Sequence, residues 1–519
     1  MNDLCLHPPG ESQRRPESDC RALVPAEGPV VLDTFGGRVH VEWDPTAAVT
    51  PLGQLAFFAE YLKVSGLFDP WVEECPVCWT SPNAPSKRDV LGTAVLSILC
   101  GHWRYAHISA LRGDRVNAPL LGMETVVSED SVRGTLKKME QEAALAWLQR
   151  HLLLVTEPLL GEPWILDADV TVKPIYGHQE GAVLGYNPHK PGRPSHTYHT
   201  YFIGNLRLVL DVEVQPGNQH HSKFSAPGLW GLLDRIGRAR WPRLLRGDRD
   251  WGTEANMQRC EQEGLPYLFK QRMTKRTKQL VERLLRDAEW SDAGQGWQGA
   301  EASLRLSGWS RARRVVVLRR RLAKDLAIEQ PDESGQLRLS FTEVEQDVRL
   351  YEYAVLVTSL DEEMLTIAAL YRDRADCENN FDELKHHWGW GGFTTRDLKR
   401  CRIMARMSAL VCNWWSIFVR LAEPDKHSES ITSRPLLLNA PARAIEHARQ
   451  RRLVITHHHA EADWVERACR NLAAFLHGLR LTAEQLTPTQ RWYRILSRAM
   501  VKYLHGRQLQ PPQPLPAPT

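Results

Sequence analysis

Apolar residues recur every three to four positions through residues 52–67 and 90–99, which is the period of a helix with one buried face. The run Ser128-Glu129-Asp130-Ser131 has the chemistry of a helix start and predicts one helix through 132–153. From Trp164 the period changes. Residues 164–172 are an apolar run with β-branched members, and 197–203 and 206–214 repeat the pattern, so three strands of an antiparallel meander are expected. Helix and strand then alternate: helix 225–235 with Pro227 in its first turn, strand 243–246, helix 253–263, strand 267–270 and helix 277–289. Residues 290–350 break the alternation with Gly, Trp, a basic-edged run at 313–321 and a strand-like piece at 336–341. Strand 351–358, helix 371–385 and a very apolar helix at 403–421 follow.

This order predicts an α/β protein with a mixed sheet flanked by helices, an inserted β-rich subdomain, and helical regions at both ends. The expected segments are a disordered N-terminus (1–30), a mainly helical, DNA-binding domain (31–160), a first core part (161–289), the insertion (290–350), a second core part (351–425), a C-terminal helical region (426–505) and a disordered Pro-rich tail (506–519). A short strand is expected at 39–43. The helical domain reads equally as a helix-turn-helix reader of DNA or as a scaffold.

Composition narrows this picture modestly. The 519 residues are 43% hydrophobic and 25% charged, ordinary for a globular chain with a large core. A net charge of +4 requires any basic surface to be local. Ten cysteines without framework spacing, no apolar leader and no membrane-length apolar run lead to the expectation of a cytoplasmic protein with reduced thiols and no membrane partner. Cys75 and Cys78 with Cys100 and His102 offer zinc ligands, against a simpler reading as packed thiols. His457-His458-His459 reads as a loop tract. Arg311, Arg313, Arg314, Arg319, Arg320, Arg321 and Lys324 crowd one span among Trp290, Trp297 and Trp309. They fit either a charged edge strand or, as favoured here, a phosphate-binding face.

The candidate chemistry lies in carboxylates. Asp169 sits inside the first apolar strand, Asp248 follows the strand at 243–246, and Glu378 lies in the helix at 371–385. An ionised carboxylate within an apolar strand is costly unless paired or bound to a cation. Three such groups would make a hard oxygen site suited to Mg2+ or Mn2+, and two ions there would serve phosphodiester chemistry. On a continuous helix Tyr371, Arg374, Glu378 and Lys385 would share one stripe, facing DNA phosphate, a metal or solvent. Asp167 lies two residues before Asp169 and shares its face of the strand.

At these residues the chain resembles DDE transposases of bacterial insertion sequences, whose third acidic residue lies in a Y-x2-R-x3-E-x6-K signature. Tyr371, Arg374, Glu378 and Lys385 match it without a gap. Gln179-Glu180-Gly181-Ala182, Gly185-Tyr186-Asn187-Pro188, Lys190-Pro191-Gly192, Pro216-Gly217-Asn218 and Glu383-Leu384-Lys385 are similar to further family words, over about residues 85–505. The resemblance implies an RNase-H-like core with the insertion between the second Asp and the Glu. It implies Asp169, Asp248 and Glu378 as catalytic ligands of two Mg2+ (or Mn2+) ions, and Tyr371, Arg374 and Lys385 as contacts to DNA phosphates. The family's D-x-T context favours Asp169 over Asp167, its neighbour on the same strand face, and the context after the second Asp leaves Asp250 a rival to Asp248, though Arg246-Gly247-Asp248 matches better. The implied function is cleavage at terminal inverted repeats and joining of the 3′-hydroxyl to target DNA, by a homodimer in a bacterial, nucleoid-bound setting. The rivals are a non-catalytic, domesticated DNA-binding protein and a metal-dependent nuclease without strand transfer.

Overall fold

The computed structural model describes residues 30–188, 190–322, 351–424, 428–457, 461–481 and 486–511. Residues 512–519 of the expected tail, most of the N-terminal segment, the strand-like piece at 336–341, Lys324, His458 and His459 lie outside the described residues. The chain divides into two compact units between Ala47 and Ala48. In the first, β1 (Val30–Thr34) and β2 (Gly37–Val41) form an antiparallel hairpin, and the Thr34 hydroxyl donates to the Gly37 carbonyl at 2.8 Å.

The second unit opens with β3 (Val49–Thr50) and the helices α1 (Leu55–Ser65), α2 (Phe68–Glu73), α3 (Lys87–Leu99), α4 (Asn117–Leu120), α5 (Glu129–Lys138) and α6 (Gln141–Thr156). The single helix expected over 132–153 is two. Glu140 takes a non-helical backbone and its carboxylate accepts from the Glu142 and Ala143 amides at 2.9 and 2.7 Å, which starts a new helix. From Asp89 to Leu99 every residue of α3 is buried, so this helix is a core element with no face to lay in a DNA groove.

Next come β4 (Ile165–Pro174), β5 (Ser195–Ile203), β6 (Leu208–Pro216), α7 (Ser222–Ile236), β7 (Leu244–Gly247), α8 (Glu254–Glu263), β8 (Tyr267–Lys270) and α9 (Lys275–Asp287). Helix α7 begins three residues before its expected start, so Pro227 lies beyond the first turn, where its missing N–H leaves one helical bond unmade. The chain continues through β9 (Ser291–Gly294), β10 (Trp297–Leu304), β11 (Arg313–Arg321), β12 (Tyr351–Thr358), α10 (Met364–Arg372), α11 (Ala375–His386) and α12 (Leu398–Ala422). It ends with α13 (Ser430–Leu437), β13 (Ala442–His447), β14 (Gln450–Ile455), α14 (Ala462–Leu481) and α15 (Pro488–Ala499). The C-terminal region is therefore not wholly helical. Ala448 and Arg449, both at positive φ (50° and 63°), turn β13 back onto β14, and β13 also pairs with β3.

Among the described residues nine strands make one sheet, in the order β6-β5-β4-β7-β8-β12-β11-β10-β9. Pairs β4–β7 and β7–β8 are parallel; the rest are antiparallel. The strands of the β-rich insertion continue the main sheet, because β12 pairs with β8 on one side and β11 on the other. Period-two burial shows both faces covered. Val315, Val317, Val355 and Val357 point into the large core, and Val316, Leu318, Ala354 and Leu356 into a smaller one. Helix α12, buried along most of its length, is central to the large core; α10 covers the small one through Ile367 and Ala368.

Candidate active site

Strand β4 carries Asp167, Asp169, Thr171 and Lys173 on one face by its two-residue period. Parallel pairing sets Asp167 opposite Arg246 of β7, and Asp248 lies one residue past the end of that strand. The third contributor is the junction between α10 and α11. The continuous helix expected over 371–385 is broken at Asp373 and Arg374, so Tyr371 belongs to one helix and Glu378 and Lys385 to the next. The four signature residues do not lie on one helical stripe.

Asp167 and Arg246 are both fully buried and make a bidentate pair, with Nε–Oδ1 and Nη2–Oδ2 both at 2.6 Å. The Cys377 thiol adds a donor to Asp167 at 3.2 Å, and Arg246 Nη1 donates to the Leu370 carbonyl of α10 at 2.6 Å. Burial holds the Cys377 thiol protonated far above its usual range, reinforced by the Asp167 charge. Gly204 is required beside this pair, since a Cβ there would stand 2.0 Å from Asp167 Oδ2.

Asp169 is different. One carboxylate oxygen pairs with Arg374 and the other accepts from the Val170 amide at 2.8 Å. Burial pushes its carboxyl up to about 7; Arg374 opposes the rise, and the charges of Asp248 and Asp167 add to it. Asp248 is likewise raised by burial, with Arg374 opposing and Asp250 adding. Burial disfavours the Arg374 charge, but the carboxylates of Asp169 and Asp248 outweigh it and hold the guanidinium above its usual range. Burial lowers Lys385, against the attraction of Asp382 and Asp169. The structure thus brings Asp169, Asp248, Arg374 and Lys385 into one electrostatic neighbourhood. It does not bring in Glu378, which is exposed on α11, and among the described residues no hydrogen bond or ion pair joins it to either aspartate. Tyr371 packs against the small core with the Lys270 ammonium 5.9 Å from its ring.

Asp250 is turned to another partner, pairing with Arg272, while its amide donates to Asp248 Oδ1 at 2.9 Å. Arg246 gives little sign of its role in the sequence. Its signal was an arginine in a short apolar strand, which only strand register could connect to Asp167.

Most arginines of the expected phosphate-binding face are paired within the chain, while Arg321 stands exposed at the end of β11. Arg313 is buried and bridges Glu254 and Glu261 at 2.5 and 2.7 Å, Arg311 reaches Glu261 at 3.0 Å, Arg314 pairs with Glu301 at 2.8 Å, and Arg320 with Glu352 at 2.8 Å. Arg319 is stacked 4.0 Å from the centre of Trp290. These acids, distant in sequence, were invisible to a reading of local charge. Cys75, Cys78, Cys100 and His102 form no metal cluster among the described residues. Burial raises the Cys75 thiol and takes Cys100 to about 12, so both stay protonated as packed thiols. The family-like words are structural joints: the Glu180 side chain accepts the first amide of α12, from Leu398, at 3.0 Å, and Gly185 and Gly217 touch so closely that a Cβ on Gly185 would stand 1.9 Å from the Gly217 carbonyl oxygen.

The fold and this pair of half-buried carboxylates define an α/β protein with an acidic site just past the point where the parallel pairing of β4 with β7 ends. A family model described as "Transposase DDE domain group 1" matches residues 81–476, and the chain belongs to that family. Its members generally use divalent metal ions. Among solved structures, the "Cryo-EM structure of piggyBac transposase synaptic complex with hairpin DNA (SNHP)" is similar over 91% of this chain and 87% of that chain, at 10% identity and a TM-score of 0.38, a likeness too loose to place residues. No protein of curated function matches the chain. No described helix is long and apolar enough to cross a membrane.

Proposed function

We propose that this chain is a DDE transposase that binds the terminal inverted repeats of an insertion sequence, cleaves the ends and joins the 3′-hydroxyl to target DNA as a synaptic homodimer. The observation that carries this reading is the Asp169–Asp248 pair, two carboxylates from neighbouring parallel strands that burial and mutual repulsion make costly to ionise. The strand order β6-β5-β4-β7-β8, three antiparallel followed by two parallel, supports an RNase-H-like core.

The residues fit a divalent metal: hard oxygen donors, desolvated together, are stabilised as anions by a dication. Asp169, Asp248 and Glu378 would hold two Mg2+ or Mn2+ ions, with Glu378 turning inward on α11. Bound there, such ions supply an activated oxygen nucleophile and charge stabilisation for phosphodiester exchange. The chain's own cations position the DNA. Arg374, released from Asp169, offers two parallel donors to a phosphate; Lys385 is a point charge; Tyr371 donates one hydrogen bond.

Substituting Asp169, Asp248 or Glu378 by Ala is expected to abolish end cleavage while leaving end binding intact; cleavage that survives all three overturns the assignment. Incubating the protein with Mg2+, a pre-cleaved end and a plasmid separates transposition from simple nuclease action, since only the former yields joined product.

A further inference from the structure

A second group of ligand atoms lies beside the acidic pair and is used by none of the chemistry above. His220, His221 and Asp250 each present one ligand atom, all within 4.8 Å of one another, the one such trio among the described residues. The two rings are consecutive in sequence, yet their centres stand 4.1 Å apart at 35°, so both turn to the same side of the chain. His221 Nδ1 is 3.9 Å from Asp250 Oδ2. His220 Nδ1 is shut off from solvent and has no hydrogen-bond partner, an unusual state for an imidazole nitrogen.

The trio is held from behind. His220 stacks on Tyr186, with ring centres 5.1 Å apart, and the Tyr186 hydroxyl accepts from Arg249 at 2.9 Å. The His221 carbonyl accepts from the Phe224 amide at 2.9 Å as α7 begins. Ser222 Oγ donates to the Asp250 carbonyl at 2.5 Å, which clamps the loop before α7 to the loop after β7. What faces the ligand atoms is Arg272, paired with Asp250 and 3.5 Å from His221 Nδ1; half-exposed, it is free to swing toward solvent.

From this juxtaposition we infer a divalent transition-metal site, His220–His221–Asp250, separate from the Asp169–Asp248 pair. Two imidazoles and one carboxylate are the donor set of zinc-like ions, with a fourth position open, and are poor ligands for Mg2+. Ligands about 2.0–2.2 Å from one tetrahedral ion stand roughly 3.3–3.6 Å from each other, so side-chain rotation that draws the three atoms together by about an ångström closes the trio. The ion takes over the charge balance that Arg272 now gives Asp250, and it fastens the loop at 217–222 to the segment that presents Asp248.

The test is a titration of untagged, metal-free, full-length protein with Zn2+ by calorimetry, with Co2+ as a spectroscopic probe of imidazole ligation. One equivalent of tight Zn2+ binding is expected, resistant to excess Mg2+. His220→Gln with His221→Gln should weaken that equivalent by at least about tenfold. Asp169→Asn with Asp248→Asn should retain it, and Arg272→Gln should tighten it severalfold by removing the competing cation. Circular dichroism of each variant checks folding. Unchanged Zn2+ affinity in the folded histidine double variant, displacement by Mg2+, or loss of the site in the Asp169/Asp248 variant overturns the inference.

Discussion

Asp167 and Asp169 sit two residues apart on the same face of the same strand, each paired with an arginine, yet they do opposite things. Asp167 is fully buried with both oxygens satisfied by Arg246, which also ties α10 to the sheet. Asp169 gives Arg374 a single oxygen at the rim, stays 12% exposed, and shares its neighbourhood with a second carboxylate. A closed, doubly bonded pair is a joint. An open pair strained by a like charge has capacity for a further cation. The count of satisfied oxygens and the sign of the neighbouring charges separate the two roles where sequence position does not.

The comparison breaks most sharply at Arg246. Arg246→Ala leaves a buried, unpaired Asp167 and should cost about 3–5 kcal/mol in urea unfolding. Replacing both partners, Asp167→Leu with Arg246→Met, should recover most of that loss; if it does not, the pair is more than a joint. Next in size, Asp169→Asn, Asp248→Asn and Glu378→Gln should each lower end cleavage at least about 100-fold, roughly 2.7 kcal/mol of barrier, with little loss of fold. Arg374→Ala should reduce end cleavage about tenfold or more while changing stability by under about 1 kcal/mol, the inverse of Arg246→Ala.

A smaller effect is visible in pH. The Asp169 carboxyl is raised in the fold, so its contribution to stability is full below the unfolded value near 4 and is lost as pH rises through about 7. Asp169→Asn should therefore stabilise the metal-free protein at pH 8 by about 1 kcal/mol or more relative to its effect at pH 4, read from thermal melts. Smallest of all, Arg320→Ala removes a half-exposed pair with Glu352 and should change stability by under about 0.5 kcal/mol. It should leave the salt dependence of DNA binding unaltered, which a phosphate-binding face would not.

The sheet strands and most helices could be read from hydrophobic period, because both sheet faces and the helix α12 are sorted by burial. The breaks at Glu140 and at Asp373–Arg374 could not, since each interrupts a run whose period continues across it. Asp169 and Asp248 stand out in the sequence because a carboxylate at an apolar strand announces itself, and the structure sets the two within electrostatic reach of each other. The pairing of Asp167 with Arg246, and of the β11 arginines with Glu254, Glu261, Glu301 and Glu352, needed strand register and long-range packing. The His220–His221–Asp250 trio joins residues thirty positions apart and carried no local signal at all.

The continuation of the sheet through β9–β11 has a consequence for inheritance. Helix α10 rests on those strands: Gly299 of β10 lies so near Met364 that an added Cβ would be 2.3 Å from its sulfur, and Arg372 donates to the Ala293 carbonyl of β9 at 2.6 Å. Arg374 follows at the end of the same helix. Substitutions in β9 or β10 are thus expected to reach the signature junction through α10. A chimera that exchanges 290–350 between relatives trades away the support of Arg374, whereas one cut beyond α11 transfers strands, helix and arginine as a single heritable block.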